Sequence, residues 1–430
     1  MLVLQPCLKA LPQRMPRATT SPRAAAARAR SHFSPFSFQA GASSRGPLMA
    51  KDRSPRCAST CTVSSRTDDL SELLGTAAEY SAPAASLLGN IGNTPLLQVG
   101  ESNTFVKLEG HNPSGSIKDR ALSSMVECML EEGKLHPKDD TLCLVTSGSA
   151  GVTLQAIHKA MVSKDAYALD ALIVMPAAYA KKAVPTEIIE TEGVEVHYSL
   201  GTMLASQASA GGASGTLRVL LLEGAFVDVL AETKGFAKEL GWQVLDQHHD
   251  SNGMKAHEAT ATELMAQLPG VTDVVCTTGT GATAAGLRAF LPSHVRVHAR
   301  PGESGAIDGL SDVGRYNNFC DTSKLDSYYG CTFSKDSATK HQQVLCDYGV
   351  HAGPSSGAAL WLATELNQQP QNEERSIAFI AADGRLVPEA VLDLAPLEHG
   401  RVARLMSKPE DSSRVCSSTV CCRAGGAGLG

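Results

Sequence analysis

Short apolar runs rich in β-branched residues alternate with helix-length segments from about residue 90 to residue 400, and this alternation constrains the fold most. The strand candidates are Leu142–Val145, Ala171–Met175, Val194–Tyr198, Val274–Cys276, Val295–His298 and Ile377–Ala381. The helix candidates between them are Val152–Val162, Ala259–Gln267, Gly281–Phe290 and Ser334–Tyr348. Because most of these strands are apolar on both faces, the pattern predicts an α/β fold with mostly parallel central sheets. The segment is long for a single sheet, so we expect two α/β domains.

Composition indicates where these domains begin and end. We predict an N-terminal α/β domain over residues 67–245 and a C-terminal α/β domain over residues 246–402. Within the first, residues 203–216 (MLASQASAGGASGT) are small, polar and of low complexity, which predicts an inserted surface loop. Residues 403–430 carry a Ser/Gly-rich stretch and are predicted to form a disordered tail.

The first 66 residues have the composition of an organelle transit segment. Residues 1–51 contain eight Lys or Arg and no acid, and they are rich in Arg, Ser, Ala and Pro. They lack the continuous apolar stretch of a secretory signal peptide, so we expect import into a plastid or a mitochondrion. The alternative is an unstructured extension of a cytoplasmic protein, with Met49 as a second start.

Charge and hydropathy exclude several classes of partner. Beyond residue 51 acidic side chains outnumber basic ones and no basic patch stands out, so we expect no nucleic acid partner. No apolar run approaches the roughly 18 residues of a membrane span, so we expect no membrane association. The cysteines of the body are scattered singly without CxxC spacing, as is typical of thiols in a reducing compartment, and no metal site is predicted.

A glycine loop, Gly279–Thr283, follows the strand candidate Val274–Cys276 and opens a helix. Glycines let backbone N–H groups approach an anion, and the helix N-terminus adds positive potential, so this loop suits a phosphate. A tight strand-to-helix turn without a ligand is the alternative. The loop is not a nucleotide-binding P-loop, because no Gly-Lys-Ser/Thr follows it.

Three other segments indicate a chemical function only when they are considered together. A serine loop, Thr146–Gly151, also joins a strand to a helix and could bind a carboxylate, although N-capping by Ser147 or Ser149 explains it equally. Gly353–Ala359 precedes a further helix and has the same two interpretations. Asn112–Arg120 (NPSGSIKDR) contains Lys118, which taken alone is an ordinary residue at a helix start.

Together these segments closely resemble the cysteine synthase and cystathionine β-synthase group of the β-family (fold type II) of pyridoxal-phosphate enzymes. The motifs that carry the resemblance are IGNTPLL (Ile91–Leu97), VKLE (Val106–Glu109), NPSGSIKDR (Asn112–Arg120), the serine loop, Met175-Pro176, the glycine loop and SSGAA (Ser355–Ala359). Gln247 and His257 also have a spacing like that of the family's QxxNPxNPxxH segment. The resemblance covers about residues 88 to 385, and at its end the family's PDSGERY-like stretch is reduced to Asp383-Gly384-Arg385.

The resemblance implies a tryptophan synthase β-like fold with pyridoxal 5'-phosphate in the cleft between the two domains. It makes Lys118 the catalytic lysine that binds the cofactor as a Schiff base. The implied cofactor-binding residues are Lys118, Ser149, Gly279, Thr280, Gly281, Ala282, Thr283 and Ser355. Within this set the glycine loop would hold the phosphate, Ser355 would face the pyridine nitrogen and Ser149 would face the 3′-oxygen. The implied substrate-binding residues are Thr146, Ser147 and Gln247, which would hold the substrate carboxylate. No metal is implied.

The reaction implied is β-replacement on an activated serine, in which O-acetylserine and sulfide yield cysteine. A cystathionine β-synthase-like transferase, a serine β-eliminating lyase, and a weakened homologue with a binding or regulatory role are the alternatives. The last is motivated by Ser149 and Ala150, which stand where the family has asparagine and threonine. Ala282 also replaces a family glycine, which is harmless only if its φ is negative. The family also implies a homodimer and serine acetyltransferase as a partner.

Overall fold

The structure is a computed structural model, and it describes residues 90–136, 140–162, 168–209, 214–301, 307, 309–311, 321–328, 335–369, 374–386, 392–397 and 400–405. The predicted transit segment (residues 1–66) and residues 406–430 of the predicted tail lie outside the described residues.

The described residues form fifteen strands. In chain order they are β1 (Leu96–Val99), β2 (Thr104–Leu108), β3 (Thr141–Val145), β4 (Asp170–Pro176), β5 (Glu195–His197), β6 (Leu217–Leu222), β7 (Gln243–Val244), β8 (Asp273–Thr278), β9 (Arg296–Pro301), β10 (Ser327–Tyr328), β11 (Val350–Ala352), β12 (Ile377–Ala381), β13 (Gly384–Leu386), β14 (Leu392–Leu397) and β15 (Gly400–Leu405). All six predicted strands are present, each within one residue at either end except that β8 and β9 end two and three residues later than predicted.

The α-helices of the described residues lie between these strands. In chain order they are α1 (Lys118–Glu131), α2 (Ser149–Val162), α3 (Ala183–Ile189), α4 (Leu200–Ser209), α5 (Phe226–Leu240), α6 (Ser251–Lys255), α7 (His257–Gln267), α8 (Ala282–Phe290), α9 (Lys335–Asp347) and α10 (Pro354–Gln368). In this part of the chain no helix is both long enough and apolar enough to span a bilayer.

Two main sheets organise the molecule. A five-stranded sheet has the order β5-β6-β4-β3-β7, and all its pairings are parallel. An eight-stranded sheet has the order β10-β9-β8-β12-β2-β1-β15-β14, with a parallel centre around β8 and β12. The central strands are almost wholly buried because helices cover both faces, as their mostly apolar sequences require. The predicted α/β class with mostly parallel sheets is confirmed.

The division into sequential domains differs from the prediction. β1 and β2 precede residue 245 but belong to the eight-stranded sheet, where β2 pairs with β12 and Phe105 lies opposite Ala378. The large sheet therefore takes strands from both ends of the described chain. It also extends past residue 402, because Ala403 and Leu405 of β15 pair with β1. Local patterns predict strands but not such distant pairings, which explains both errors.

The predicted surface loop at residues 203–216 is wrong over its first half. Residues 203–209 belong to α4, and Met203 is buried in the apolar layer between α4, α5 and the five-stranded sheet. Ala, Met and Gln have high helix propensity, and the small residues around them hide the usual helical spacing of apolar positions. Residues 210–213 lie outside the described residues, and Thr216 leads directly into β6.

Candidate active site

A cavity lies where strands of both sheets end and helices begin. The empty space inside it, with the open mouth included, is about 700 Å³. The predicted site residues that line it are Lys118, Ser149, Gly279, Thr280, Gly281, Thr283 and Ser355. Ser149 follows β3 of the five-stranded sheet, whereas the glycine loop follows β8 of the eight-stranded sheet. Residues separated by more than two hundred positions thus share one cavity at the carboxyl ends of the strands, where open α/β sheets bind ligands.

The glycine loop is shaped by two glycines. Gly281 caps the N-terminus of α8 with a left-handed φ of 82°, which only glycine adopts readily. A Cβ at Gly279 would lie 2.3 Å from the carbonyl oxygen of Gly309, so a side chain cannot be accommodated there. Ala282 begins the helix and therefore has a negative φ, so its methyl group causes no strain. Its side chain is buried and only its neighbours line the cavity.

Hydrogen bonds from residues outside the glycine loop hold it in place. The Ser311 hydroxyl donates to the Gly279 carbonyl over 2.6 Å, and the Ser311 carbonyl accepts from the Thr278 hydroxyl over 3.2 Å. On the opposite side, the Thr283 hydroxyl lies 3.2 Å from Nε2 of His257. Burial lowers the pKa of His257 to about 4, so this imidazole is neutral near pH 7. The loop therefore presents helix N–H groups and hydroxyls to the cavity on a fixed frame, as an anion site requires.

Lys118 is the first residue of α1 and lines the same cavity. The N–H of Ile117 donates to the Ala382 carbonyl over 2.8 Å, which ties the start of α1 to the end of β12. Burial lowers the pKa of Lys118 to about 8. Among the described residues no carboxylate forms an ion pair with its ammonium group. Roughly a tenth of the amine is therefore uncharged at pH 7, far more than for an ordinary lysine, and this is the state that can act as a nucleophile or a base.

A buried ion cluster fixes the start of α1. Two residues after Lys118, Arg120 lies 2.6 Å from a carboxylate oxygen of Glu109 and 2.8 Å from one of Glu263. Lys107 contacts the same oxygen of Glu263 over 2.7 Å. Although burial opposes ionisation, the Arg120 hydrogen bonds and both cations lower the pKa of Glu263 to about 2. Lys107 and Glu109 of the VKLE motif thus meet Arg120 of NPSGSIKDR in one cluster, which holds the start of α1 next to Lys118.

The predicted substrate-binding residues lie at the end of β3 but do not line the cavity. The Gln247 amide donates to the Val145 carbonyl over 3.1 Å, which places Gln247 beside the serine loop. The Thr146 hydroxyl accepts from the Gly148 N–H over 3.1 Å and is buried. Thr146, Ser147 and Gln247 are therefore grouped together, while Ser149 is the member of the serine loop that reaches the cavity.

Sequence reasoning missed several residues of the cavity wall. Asp383 contributes a carboxylate directly after β12, and Cys276 contributes a buried thiol on β8. Ser116 precedes Lys118 and accepts a hydrogen bond from its N–H over 3.3 Å. The signal for Asp383 was available, since it is an acidic residue at the carboxyl end of a wholly buried strand.

Comparison with known proteins identifies the family. The family model described as "Pyridoxal-phosphate dependent enzyme" matches residues 87–383, which is most of the chain. The chain belongs to this family. Its cofactor is accordingly pyridoxal 5'-phosphate, and the cavity fits that group: Lys118 supplies an amine of lowered pKa, and the glycine loop supplies an anion site on the same wall.

Curated relatives are similar at low identity. Cysteine synthase B of Pseudomonas aeruginosa is 29% identical over 299 residues, covering 66% of this chain and 89% of the relative. Cysteine synthase B of Escherichia coli is 26% identical over 317 residues, covering 70% and 92%. Cystathionine beta-synthase of Dictyostelium discoideum is 28% identical over 327 residues, and the match spans 69% of this chain but only 59% of that protein.

Solved structures confirm the fold. A hydrogen sulfide-producing enzyme from Fusobacterium nucleatum superposes with a TM-score of 0.55 at 24% identity, covering 69% of this chain and 97% of that chain. A cysteine synthase from Entamoeba histolytica gives a TM-score of 0.54 at 23% identity, covering 70% and 87%. At this identity the likeness shows the shared fold.

Proposed function

We propose that this enzyme makes cysteine by β-replacement, with O-acetylserine as the amino-acid substrate and sulfide as the nucleophile. The observation that carries the proposal is the placement of Lys118, with its lowered pKa, in one cavity with the glycine loop. The similarity to bacterial proteins named cysteine synthase supports the choice of substrates. In this reaction the Cβ–O bond of O-acetylserine breaks, acetate leaves, and a Cβ–S bond forms.

Lys118 would bind the cofactor and then move protons. When bound, pyridoxal phosphate withdraws electrons from the substrate's α-carbon, which makes loss of the α-proton and of the β-substituent feasible. With the substrate bound, the Lys118 amine would take the α-proton and later return it to the product. Its pKa of about 8 suits both steps, since efficient acid–base catalysts have pKa values near the working pH.

The serine loop would orient the substrate. Helix α2 begins at Ser149, so the N–H groups of Ser149 and Ala150 have no carbonyl partner within the helix and can bind a carboxylate, whereas the Gly151 N–H donates to the Gly148 carbonyl over 2.8 Å. Thr146, Ser147 and Gln247 lie beside them. Ser149 reaches the cavity with a hydroxyl that is shorter than the asparagine side chain of the family pattern. We therefore propose a working enzyme whose turnover is limited at this loop.

A substrate panel on the purified protein tests the proposal. Cysteine, cystathionine and pyruvate are measured after incubation with O-acetylserine plus sulfide, serine plus homocysteine, and serine alone, always with pyridoxal phosphate. We expect cysteine from the first pair at the highest rate, and none from Lys118→Ala. Lys159→Ala, which alters a lysine near the end of α2, is the matched control and should retain full activity.

Two other outcomes would redirect the proposal. Cystathionine as the main product would favour the cystathionine β-synthase-like reaction, which the relative from Dictyostelium discoideum motivates. Pyruvate without either product would favour simple elimination. Cofactor binding without turnover of any pair would leave the binding or regulatory role that Ser149 and Ala150 suggest.

A further inference from the structure

The imidazole of His257 contacts the glycine loop from outside the cavity. His257 is the first residue of α7 and is almost fully buried. Its Nε2 lies 3.2 Å from the Thr283 hydroxyl, and its Nδ1 lies 3.2 Å from the Thr260 hydroxyl. Thr283 ends the glycine loop and lines the cavity, whereas Thr260 is wholly buried one turn further along α7. The three side chains therefore form a chain of hydrogen bonds that ends at the cavity.

Close packing of α6 and α7 against α8 fixes the imidazole beside Thr283. Gly286 lies one turn after Thr283 in α8. A Cβ at Gly286 would lie 2.6 Å from the Cβ of His257 and 2.5 Å from the Met254 carbonyl oxygen, so the helices approach as closely as glycine allows. The position of the imidazole is thus set by the packing of the backbone, and the hydrogen bond to Thr283 follows from it.

The charge of the imidazole limits how its hydrogen bonds can run. Burial lowers the pKa of His257 to about 4, so the ring is neutral near pH 7 and carries a single N–H. One ring nitrogen must then donate and the other must accept. In one direction Thr260 donates to Nδ1 and Nε2 donates to Thr283. In the other direction Thr283 donates to Nε2 and Nδ1 donates to Thr260.

The two ends of the chain favour the direction that runs towards the cavity. In the opposite direction the Thr260 hydrogen would need a second acceptor, and among the described residues none lies within hydrogen-bonding distance. An unpaired polar hydrogen at a wholly buried site is costly. Thr283 would also turn its oxygen lone pairs towards a bound phosphate, which would repel them. When the chain runs towards the cavity, the Thr260 hydrogen is paired and the Thr283 hydrogen is available to an anion.

We propose that His257 is a positioning residue that donates from Nε2 to Thr283 and so makes the Thr283 hydroxyl a hydrogen-bond donor to the phosphate of the cofactor. The imidazole does not line the cavity itself, and it acts by setting the direction of a hydroxyl that does. The inference rests on the cofactor placement used in the proposed function, with the phosphate at the glycine loop. It is independent of which amino acid reacts.

Nitrogen NMR of the full-length protein with pyridoxal phosphate bound measures the tautomer of His257. In a long-range proton–nitrogen correlation spectrum, the protonated and the unprotonated ring nitrogen have clearly separate shifts. The signals of His257 are identified by their loss in His257→Gln. We expect the proton on Nε2. A proton on Nδ1 would overturn the proposal, and this result does not depend on how well any variant binds the cofactor.

Ligand binding to the cofactor-free protein tests the consequence for the phosphate. The dissociation constants of pyridoxal phosphate and of pyridoxal, which lacks the phosphate, are measured by fluorescence titration. His257→Leu removes the donor, and it should weaken binding of pyridoxal phosphate on the order of tenfold while leaving pyridoxal nearly unchanged. His257→Gln is the matched control, because its side-chain amide can donate from about the position of Nε2. It should retain most of the affinity for pyridoxal phosphate.

Thr283→Val keeps the shape of the side chain and removes the hydroxyl. It should also weaken pyridoxal phosphate selectively, and adding His257→Leu should cause little further loss, since both changes remove the same hydrogen bond to the phosphate. Equal losses of both ligands in His257→Leu, or no loss of either, would overturn the proposal and leave His257 a structural role. Full affinity for pyridoxal phosphate in Thr283→Val would likewise overturn it. A substrate panel without cysteine, by contrast, would contradict the proposed reaction and leave this inference standing.

Discussion

The two loops that face each other across the cavity differ in how they are held. The glycine loop is braced from outside itself, by Ser311 on one side and His257 on the other. At the turn of the serine loop the side-chain hydrogen bonds are internal, between Thr146 and Gly148, and the contact from outside is made by backbone, where the Thr146 N–H donates to the Val174 carbonyl over 3.1 Å. The braced loop also keeps the family's Gly/Thr pattern apart from Ala282, whereas the serine loop departs from it at Ser149 and Ala150.

This difference indicates a division of tasks. A phosphate site works through backbone N–H groups in a fixed geometry, so its bracing and its glycines tolerate little change. The serine loop meets the substrate, and a change of one side chain there alters fit without unfolding the frame. We therefore expect substitutions in the glycine loop to remove cofactor binding and substitutions in the serine loop to adjust rate and substrate preference.

The largest effect is expected at Lys118, which lies between the two loops. Lys118→Ala removes the amine and should abolish both turnover and the covalent cofactor adduct, whichever substrate is used. The adduct is measured by borohydride reduction followed by peptide mass spectrometry. An adduct trapped on another lysine of the variant would show that the active site is misplaced.

A paired substitution tests the contrast between the loops directly. In Gly279→Ala the new methyl group would lie 2.3 Å from the Gly309 carbonyl oxygen, so the loop has to shift. In Gly148→Ala the methyl group would meet only Val184, at an ordinary contact distance of 4.0 Å. Overpacking of this kind typically costs ~1–3 kcal/mol, which would correspond to a loss of cofactor affinity of about five- to 150-fold for Gly279→Ala if all of it fell on binding. Gly148→Ala should bind pyridoxal phosphate within about twofold of the parent.

Equilibrium titration with pyridoxal phosphate gives both affinities, and thermal unfolding of the cofactor-free variants shows how much of each loss is due to folding. The contrast fails if the two variants lose affinity to the same extent. It would also fail if Gly148→Ala proved the more damaging of the two.

The pH dependence of cofactor capture should report the environment of Lys118. Only the uncharged amine reacts, so the rate of adduct formation should rise with pH and level off above about pH 8, whereas an exposed lysine would continue to gain up to about 10.5. Between pH 7 and this plateau the gain should be about tenfold, since roughly a tenth of an amine with this pKa is uncharged at pH 7. Stopped-flow absorbance follows the reaction, with a lysine-containing peptide as the control.

The lowered pKa of Lys118 also predicts how the folding stability of the cofactor-free protein changes with pH. Because the pKa of Lys118 is lower in the folded protein than in the unfolded chain, its charge opposes folding below about pH 8. This penalty is relieved as the pH rises from about 8 towards 10.5. In the stopped-flow experiment, a rate of cofactor capture that is still rising at pH 10 would contradict the lowered pKa of Lys118.

The sequence predicted what depends on local pattern. Uniformly apolar runs predicted the central strands, and the motifs predicted seven of the residues that line the cavity but not Cys276 or Asp383. The pairing of β2 with β12 was out of reach, because it joins segments more than 250 positions apart without a local signal. The helix at Leu200–Ser209 was missed because its small residues hide its periodicity, although Met203 proves to be a core residue.

The structure also separates two departures that the sequence presents together. Ser149 lines the cavity, but the Ala150 side chain is buried in the apolar layer that includes Leu154 and Ile188. A threonine at position 150 would place a hydroxyl in this layer, and an unpaired buried hydroxyl costs ~1–3 kcal/mol. Ala150→Thr should therefore lower the melting temperature without raising the rate, and restoring the family pattern should be attempted at Ser149 alone.

The smallest effect, and the one that separates slowed from redirected catalysis, is expected for Ser149→Asn. The asparagine amide of the family pattern reaches further into the cavity than the serine hydroxyl does, so it can donate directly to the cofactor where serine needs a bridging water. One neutral hydrogen bond is worth ~0.5–1.5 kcal/mol, so turnover with O-acetylserine and sulfide should rise about three- to tenfold. Steady-state rates of the parent, Ser149→Asn and Ser149→Ala measure this, and Ser149→Ala should be slower than the parent.

If Ser149→Asn is no faster with O-acetylserine while the parent works efficiently on a different amino acid, the serine loop is adapted to that other substrate. Cysteine synthesis would then be the wrong reaction for this enzyme, although the fold, the cofactor and the glycine loop would stand unchanged.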